Sequence, residues 1–282
     1  MKTSVLRALT CFLVTIAISY KSSAFPDTDT SKTKKILLAS ADKKRNAIVV
    51  RESNVVYPAI FKGHETFSQD YVEKFAVSRR DYLIRTFGRS KKFFPKAISI
   101  LKKYNVPAEF AVLIALESGF NANALSGAGA KGYWQFMDDV AKEYNLRIAE
   151  NLPVTTIRKT KSGKKITVTK KPVDDRTNFL KSTIAAARYL KDRSRNLNGD
   201  WLLIAASYNC GVGNVWNAME RSGLSNPTFW DIKNRLPAET RAYVMNFIAL
   251  NVIFKNYENF SRNSLCFKPV IQNLPVASFE ED

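Results

Sequence analysis

From Phe67 to about residue 258, apolar side chains recur three and four residues apart, a spacing that commits most of the chain to helices. Tyr71, Phe75, Tyr82, Ile84 and Phe87 predict one helix, ended by Gly88. Ser90 then caps a second helix through Phe94, Ile98, Ile100 and Leu101. Pro107 opens a short helix carrying Phe110, Leu113, Ile114 and Leu116, which Gly119 closes. Residues 121–133 are small and loop-like, and Asp138 or Asp139 caps the next helix, through Tyr144. Further helices, rich in alanine, leucine and aromatics, are expected at 181–196, 200–208, 213–222 and 239–257.

One segment breaks this spacing. Residues 154–173 carry Arg158, Lys159, Lys161, Lys164, Lys165, Lys170 and Lys171 and no acid. Ile166 and Val168 alternate with Thr167 and Thr169, and residues 161–164 read as a turn, so a basic β-hairpin is inserted into the helical domain. It serves either as a solvated excursion or as a binding arm. The expected class is mainly α.

The ends differ from this middle. Lys2 and Arg7 precede the apolar run Leu9–Ile18, and Ser22, Ser23 and Ala24 follow where a signal peptidase would cut, so 1–24 reads as a secretory signal. The run is short for a membrane span. Residues 25–66 are polar and mixed in charge and read as a flexible basic linker with a short strand at 47–50. The tail, 263–282, looks irregular. Removing the signal lowers the formal charge from +19 to about +16. A basic exported protein suits an anionic partner such as a cell wall or envelope surface, and the export signal argues against nucleic acid.

Residue usage removes several chemistries. His64 is the only histidine, so a His-dependent triad would rest on it, far from the motifs below. With Cys210 and Cys266 as the two cysteines past the signal, a His/Cys zinc site has too few ligands. An oxidising compartment would permit a bridge between them.

Glu117 follows Phe110, Leu113 and Ile114 at seven, four and three residues, positions that share one helix face. Its carboxylate therefore points with apolar side chains, in a last turn where the helix dipole is negative. Both conditions disfavour the anion and raise the pKa. A carboxyl protonated near neutrality can act as a general acid. Helix spacing alone favours a plain surface glutamate in a last turn.

The flanking residues add a pattern. Ala115-Leu116-Glu117-Ser118-Gly119-Phe120 runs on to Ser126-Gly127-Ala128-Gly129-Ala130-Lys131-Gly132-Tyr133-Trp134-Gln135-Phe136-Met137. Later come Asp174-Asp175-Arg176, Ala206-Ser207-Tyr208-Asn209-Cys210-Gly211 and Glu239-Thr240-Arg241-Ala242-Tyr243-Val244. In this order and spacing the set resembles the lytic murein transglycosylase family, whose catalytic domain is of the goose-lysozyme-like, soluble-lytic-transglycosylase type. It is nearest the D-type membrane-bound branch. The resemblance implies a lysozyme-like helical domain over 67–262, with its catalytic core at about 104–258.

Carried over by position, Glu117 matches the catalytic acid/base. Ser126 matches a substrate-contacting serine and Gln135 a groove-lining glutamine. Tyr208 and Asn209 match the pair on the facing wall, and Tyr243 a tyrosine bonded near the carboxyl. Ser118 and Glu239 match supporting positions. Plainer roles stand beside these. Ser118 could bond only to backbone, Trp134, Phe136 and Tyr208 could be core aromatics, and the glycines could serve turns alone. Cys210 stands where the family has a smaller residue, Tyr133 where it has leucine, and the insertion where it has a shorter connection. No second, wall-binding domain is read, so the hairpin or linker would help hold the polymer.

The implied activity cuts the MurNAc-β-1,4-GlcNAc bond of peptidoglycan glycan strands and forms 1,6-anhydroMurNAc ends, in the periplasm or outside the cell. It implies no cofactor and no metal. Rival readings are a hydrolytic muramidase of the same fold, whose second carboxylate would come from Asp138, Asp139, Glu143, Asp174 or Asp175, and a non-catalytic wall-binding protein.

Overall fold

Leu83, Thr86, Ser90, Ala97 and Leu101 fall on one stripe, and a single helix buries all of them. In the computed structural model, which describes residues 36–37, 46–148, 154–170 and 173–275, this helix α2 spans Arg80–Lys103. The preceding helix α1 spans Glu65–Ser78, and the two part at Arg79. The expected break at Gly88 and restart at Ser90 does not occur. Gly88 costs a helix about 1 kcal/mol against alanine, less than the burial of that stripe returns. Pro95 cannot donate to the Lys91 carbonyl, but both residues are exposed, where water can satisfy it.

Pro107 precedes a 3₁₀ turn, Ala108–Val112, that leads directly into α3, Leu113–Ser118. Gly119 closes α3 in the left-handed region at φ 57°, as expected of a helix-ending glycine. Next is α4, Asp138–Glu143. Neither Asp138 nor Asp139 caps it: Met137 holds the cap position without a side-chain bond, and Asp138 turns to Arg176 instead. The competing charge outbids the backbone N–H for that carboxylate.

The basic insertion is a hairpin. Strands β3, Val154–Lys159, and β4, Lys165–Lys170, pair antiparallel with Ile157 opposite Thr167, and Gly163 turns between them at φ 80°. Helix α5, Phe179–Asn196, is capped by the Asn178 side chain. It buries Ala185, Ala186 and Ala187, whose small side chains let α2 and α6 approach closely. Helix α6, Trp201–Cys210, is capped by Asp200, which accepts from the N–H groups of Leu202 and Leu203. Helices α7, Val212–Glu220, and α8, Phe229–Ile232, lead to α9, Ala238–Lys255, and α10, Tyr257–Ser261.

The α9 helix is the axis of the molecule. Phe247 through Ile253 are all buried, and α9 packs against α1, α2, α3 and α6. This buried stretch is apolar except for Asn251, whose amide donates to the Phe247 carbonyl. Phe247 meets Phe61 edge-on at 5.6 Å between centroids and Phe110 at 5.0 Å.

Residues read as linker and tail join the fold. Strand β2, Asn46–Arg51, lies between β1, Ile36–Leu37, and β5, Val270–Pro275, with Arg51 opposite Val270. Asn54 accepts from the Cys266 N–H and donates to the Ser264 carbonyl, Val56 exchanges two bonds with the Asn256 side chain, and Phe61 is fully buried. These partners are some 200 residues apart in sequence, beyond the reach of local composition. The expected signal, 1–24, lies outside the described residues.

Candidate active site

Helix α3 is short, apolar on its inner side and stopped by Gly119, so its last turn delivers Glu117 to a fixed place. Leu113, Ile114 and Ala115 are buried beneath it, and the carboxyl is only partly open to solvent. Tyr243, from the second turn of α9, donates its hydroxyl to Glu117 Oε1 at 2.5 Å. Burial pushes the Glu117 pKa up and the Glu239 charge adds to the push, while the Tyr243 bond pulls it back; the result is about 7. The Glu239 contribution comes from a residue 122 positions away and is not legible locally.

Beside the end of α3 lies the loop that carries Ser126 and Gln135. Three bonds from different elements clamp it. Ser118 donates to the Tyr133 carbonyl at 2.9 Å as well as to the Ile114 carbonyl, so its role is the plain backbone-bonding one. Tyr208, from α6, donates to the Trp134 carbonyl at 2.7 Å. The Trp134 indole N–H reaches Thr183 Oγ1 of α5 at 3.0 Å. Trp134 and Phe136 are buried core residues, not sugar platforms. Burial and the neighbouring Glu117 charge hold the Tyr208 hydroxyl far above its ordinary pKa, so it remains a donor.

Gln135 adopts φ 48°, a left-handed conformation rare outside glycine and asparagine. Its amide N donates to the Ala124 and Gly132 carbonyls, which holds this strained backbone and leaves Oε1 to accept. Ser126 Oγ accepts from the Ala130 N–H, leaving its proton for another acceptor. Asn209 lies at the end of α6, where its Oδ1 accepts from Thr240 at 2.7 Å and joins α6 to α9. Glu239 is exposed in the first turn of α9. Glu117, Tyr243, Tyr208 and the Gln135 loop are thus brought together, with Asn209 and Glu239 at the α9 side.

A buried ion cluster behind the loop was not read from sequence. Arg176 grips Asp174 with two parallel bonds, at 3.0 and 2.8 Å, and also donates to Asp138 and to the Phe136 carbonyl. Lys131, on the loop itself, pairs with Asp174 at 3.1 Å. Asp175 pairs with Arg147 and Lys181; burial alone would raise its pKa, but these bonds draw it down to about 2. Gly132 is required here. Its φ is 84°, and a Cβ would sit 2.0 Å from the Arg176 carbonyl oxygen. The one sequence signal was the run Asp174-Asp175-Arg176 next to the hairpin.

Cys210 and Cys266 are free thiols, the first half-buried and the second buried. His64 accepts at Nδ1 from the Trp230 indole and serves packing. Among the described residues no cluster of three His, Cys, Asp or Glu side chains is placed to hold a metal ion.

A family model described as Transglycosylase SLT domain matches residues 96–228. Membrane-bound lytic murein transglycosylase D of Escherichia coli is 32% identical over 186 residues, covering 65% of this chain and 36% of that protein. This chain therefore spans about a third of the length of the curated relative. The inactive mutant of lytic transglycosylase Slt from Pseudomonas aeruginosa is 19% identical, with TM-score 0.42, over 71% of this chain and 32% of that one. The 70 kDa soluble lytic transglycosylase SLT70 of Escherichia coli is 17% identical, with TM-score 0.41, over 60% of this chain and 25% of that one. Glu117 lies inside the segment that matches the Transglycosylase SLT domain model, and over 186 residues the chain is similar to a lytic murein transglycosylase of Escherichia coli.

Proposed function

We propose that the protein cleaves the MurNAc-β-1,4-GlcNAc bond of peptidoglycan and leaves 1,6-anhydroMurNAc ends, with Glu117 as its single acid/base. One observation carries this reading: a carboxyl with a pKa of about 7, held by Tyr243 at 2.5 Å, neighbours Tyr208 and sits one residue from the Ser118 bond to the Gln135 loop. With Oε1 engaged by Tyr243, Oε2 is the oxygen that carries the transferable proton.

The steps balance without water. Glu117 gives its proton to the bridging oxygen as the bond from that oxygen to the muramic C1 breaks, and GlcNAc leaves with a new hydroxyl. The substrate's N-acetyl oxygen stabilises the positive C1. The muramic C6 hydroxyl then attacks C1, and its proton returns to Glu117. The attacking group is already tethered to the reacting sugar, so no second protein nucleophile is needed. In this scheme Gln135, Ser126 and Asn209 line the glycan and position it, Ser118 ties the Gln135 loop to α3, and the Glu239 charge helps keep the Glu117 carboxyl protonated.

The rival, a hydrolytic muramidase, needs a second carboxylate. Asp138, Asp174 and Asp175 are engaged by Arg176, Lys131, Arg147 and Lys181, which favours the single-carboxylate route. The proposed setting is the cell envelope after export, in the periplasm or outside. The basic hairpin offers contact with an anionic envelope surface. No helix among the described residues is long and apolar enough to cross a membrane. The test is digestion of purified sacculi by wild-type and Glu117→Gln protein, with mass analysis of the ends. Anhydro ends from the wild type alone support the proposal. Retained activity in the variant, or reducing ends heavier by one water, refutes it.

A further inference from the structure

A pocket of about 510 Å³ opens between the end of α7 and the start of α9, lined by Asn214, Asn217, Glu220, Arg221, Arg235 and Pro237. It adjoins the site described above. The Asn214 amide donates to the Cys210 carbonyl, next to Asn209, and Pro237 stands two residues before Glu239.

The two arginines fix each other through main chain. Arg221 Nη2 donates to the Arg235 carbonyl at 3.1 Å, and Arg235 Nε returns a bond to the Arg221 carbonyl at 3.2 Å. Arg221 Nε reaches the Asn217 carbonyl and Arg235 Nη1 the Asp231 carbonyl. Every one of these acceptors is a neutral carbonyl. Among the described residues neither guanidinium is paired with a carboxylate, and the Asp231 side chain is engaged by Thr228. Arg176 and Arg147, by contrast, each hold an aspartate. Arg221 Nη1 and Arg235 Nη2 bond to no described group. Two guanidinium groups held in place, each with one nitrogen uncommitted and neither paired with a carboxylate, suit a carboxylate ligand.

We propose that this pocket binds a carboxylate of the peptide that muramic acid carries on its lactyl group, so that the enzyme prefers peptide-bearing strands to stripped glycan. This rests on the proposed action on peptidoglycan. The volume lies in the range of small-ligand sites. Asn214 and Asn217 supply side-chain amides for the peptide main chain, and Glu220 on the same wall accepts a free amine of the peptide.

The test compares kcat/KM on intact sacculi and on the same glycan stripped of peptide by an amidase. In the Arg221→Gln/Arg235→Gln variant the ratio of the two falls about tenfold or more, through KM on the peptide-bearing strand. Because these arginines also hold the turn, Asn217→Asp is measured alongside. It leaves the main-chain bonds in place, adds a negative charge to the pocket and lowers the same ratio. A ratio equal to that of the wild type in both variants, or equal losses on both substrates, overturns the proposal while leaving the transglycosylase reading intact. A wild-type protein inactive on both substrates overturns the two together.

Discussion

Glu117 should cost the folded protein stability wherever it is ionised, and the size of that cost follows from its surroundings. Its pKa is raised from 4.5 to about 7, chiefly by burial and further by the Glu239 charge. Below the unfolded value both states hold the proton, and the group contributes nothing to pH dependence. Between the two values the unfolded chain releases its proton first, so stability falls as pH rises, and above about pH 7 the loss is complete. At about 1.4 kcal/mol per pH unit the full loss is about 3 kcal/mol. Partial access of solvent to the carboxyl reduces it toward about 2 kcal/mol. Glutamine is neutral at every pH and keeps an oxygen to accept the Tyr243 hydroxyl. Glu117→Gln should therefore gain about 2 to 3 kcal/mol over the wild type on going from about pH 4 to about pH 8. Urea unfolding of both proteins at the two pH values measures this difference directly. An offset that does not change with pH would show that the carboxyl is not desolvated in the folded state, and the argument for a neutral-pH acid would fall with it.

Other outcomes follow from the same geometry. Tyr243→Phe removes the bond that lowers the Glu117 pKa, so the alkaline limb of the pH–rate profile should move to higher pH and the rate should drop about tenfold or more as the carboxyl loses its orientation. An unmoved limb would disconnect Tyr243 from Glu117 in solution. Arg176→Gln leaves Asp174 buried with Lys131 alone and should destabilise the protein by about 3 to 5 kcal/mol, measured by denaturant unfolding. A loss below about 1 kcal/mol would place the cluster among ordinary surface ion pairs.

How far the sequence reaches depends on the range of the interaction. The helix bearing Glu117 was legible because its causes are neighbours in the chain: Phe110, Leu113 and Ile114 on one face, Pro107 before it and Gly119 after it. The hairpin was legible for the same reason, through its alternation and its Gly163 turn. The motifs around Glu117, Gln135, Tyr208 and Tyr243 pointed to the family by order and spacing, which are properties of the sequence itself. The break between α1 and α2 was misplaced because Gly88 carries a small local penalty, whereas the stripe from Leu83 to Leu101 is rewarded only against the rest of the core.

Tertiary structure decided what each of those residues does. By resemblance Tyr208 was placed on the substrate groove and Ser118 at a supporting position, and folding shows both donating to main-chain carbonyls of the Gln135 loop. The strand from Asn46 to Arg51 acquires its partners from the two ends of the chain, and Arg176 gathers Asp138, Asp174 and the Phe136 carbonyl into one cluster. The pocket between α7 and α9 is bordered by two arginines 14 residues apart that hold each other's backbone. Local periodicity encodes which face of a segment is apolar. Which distant polar groups meet, and how far their charges shift one another, is set only once burial has removed the water that would otherwise satisfy them separately.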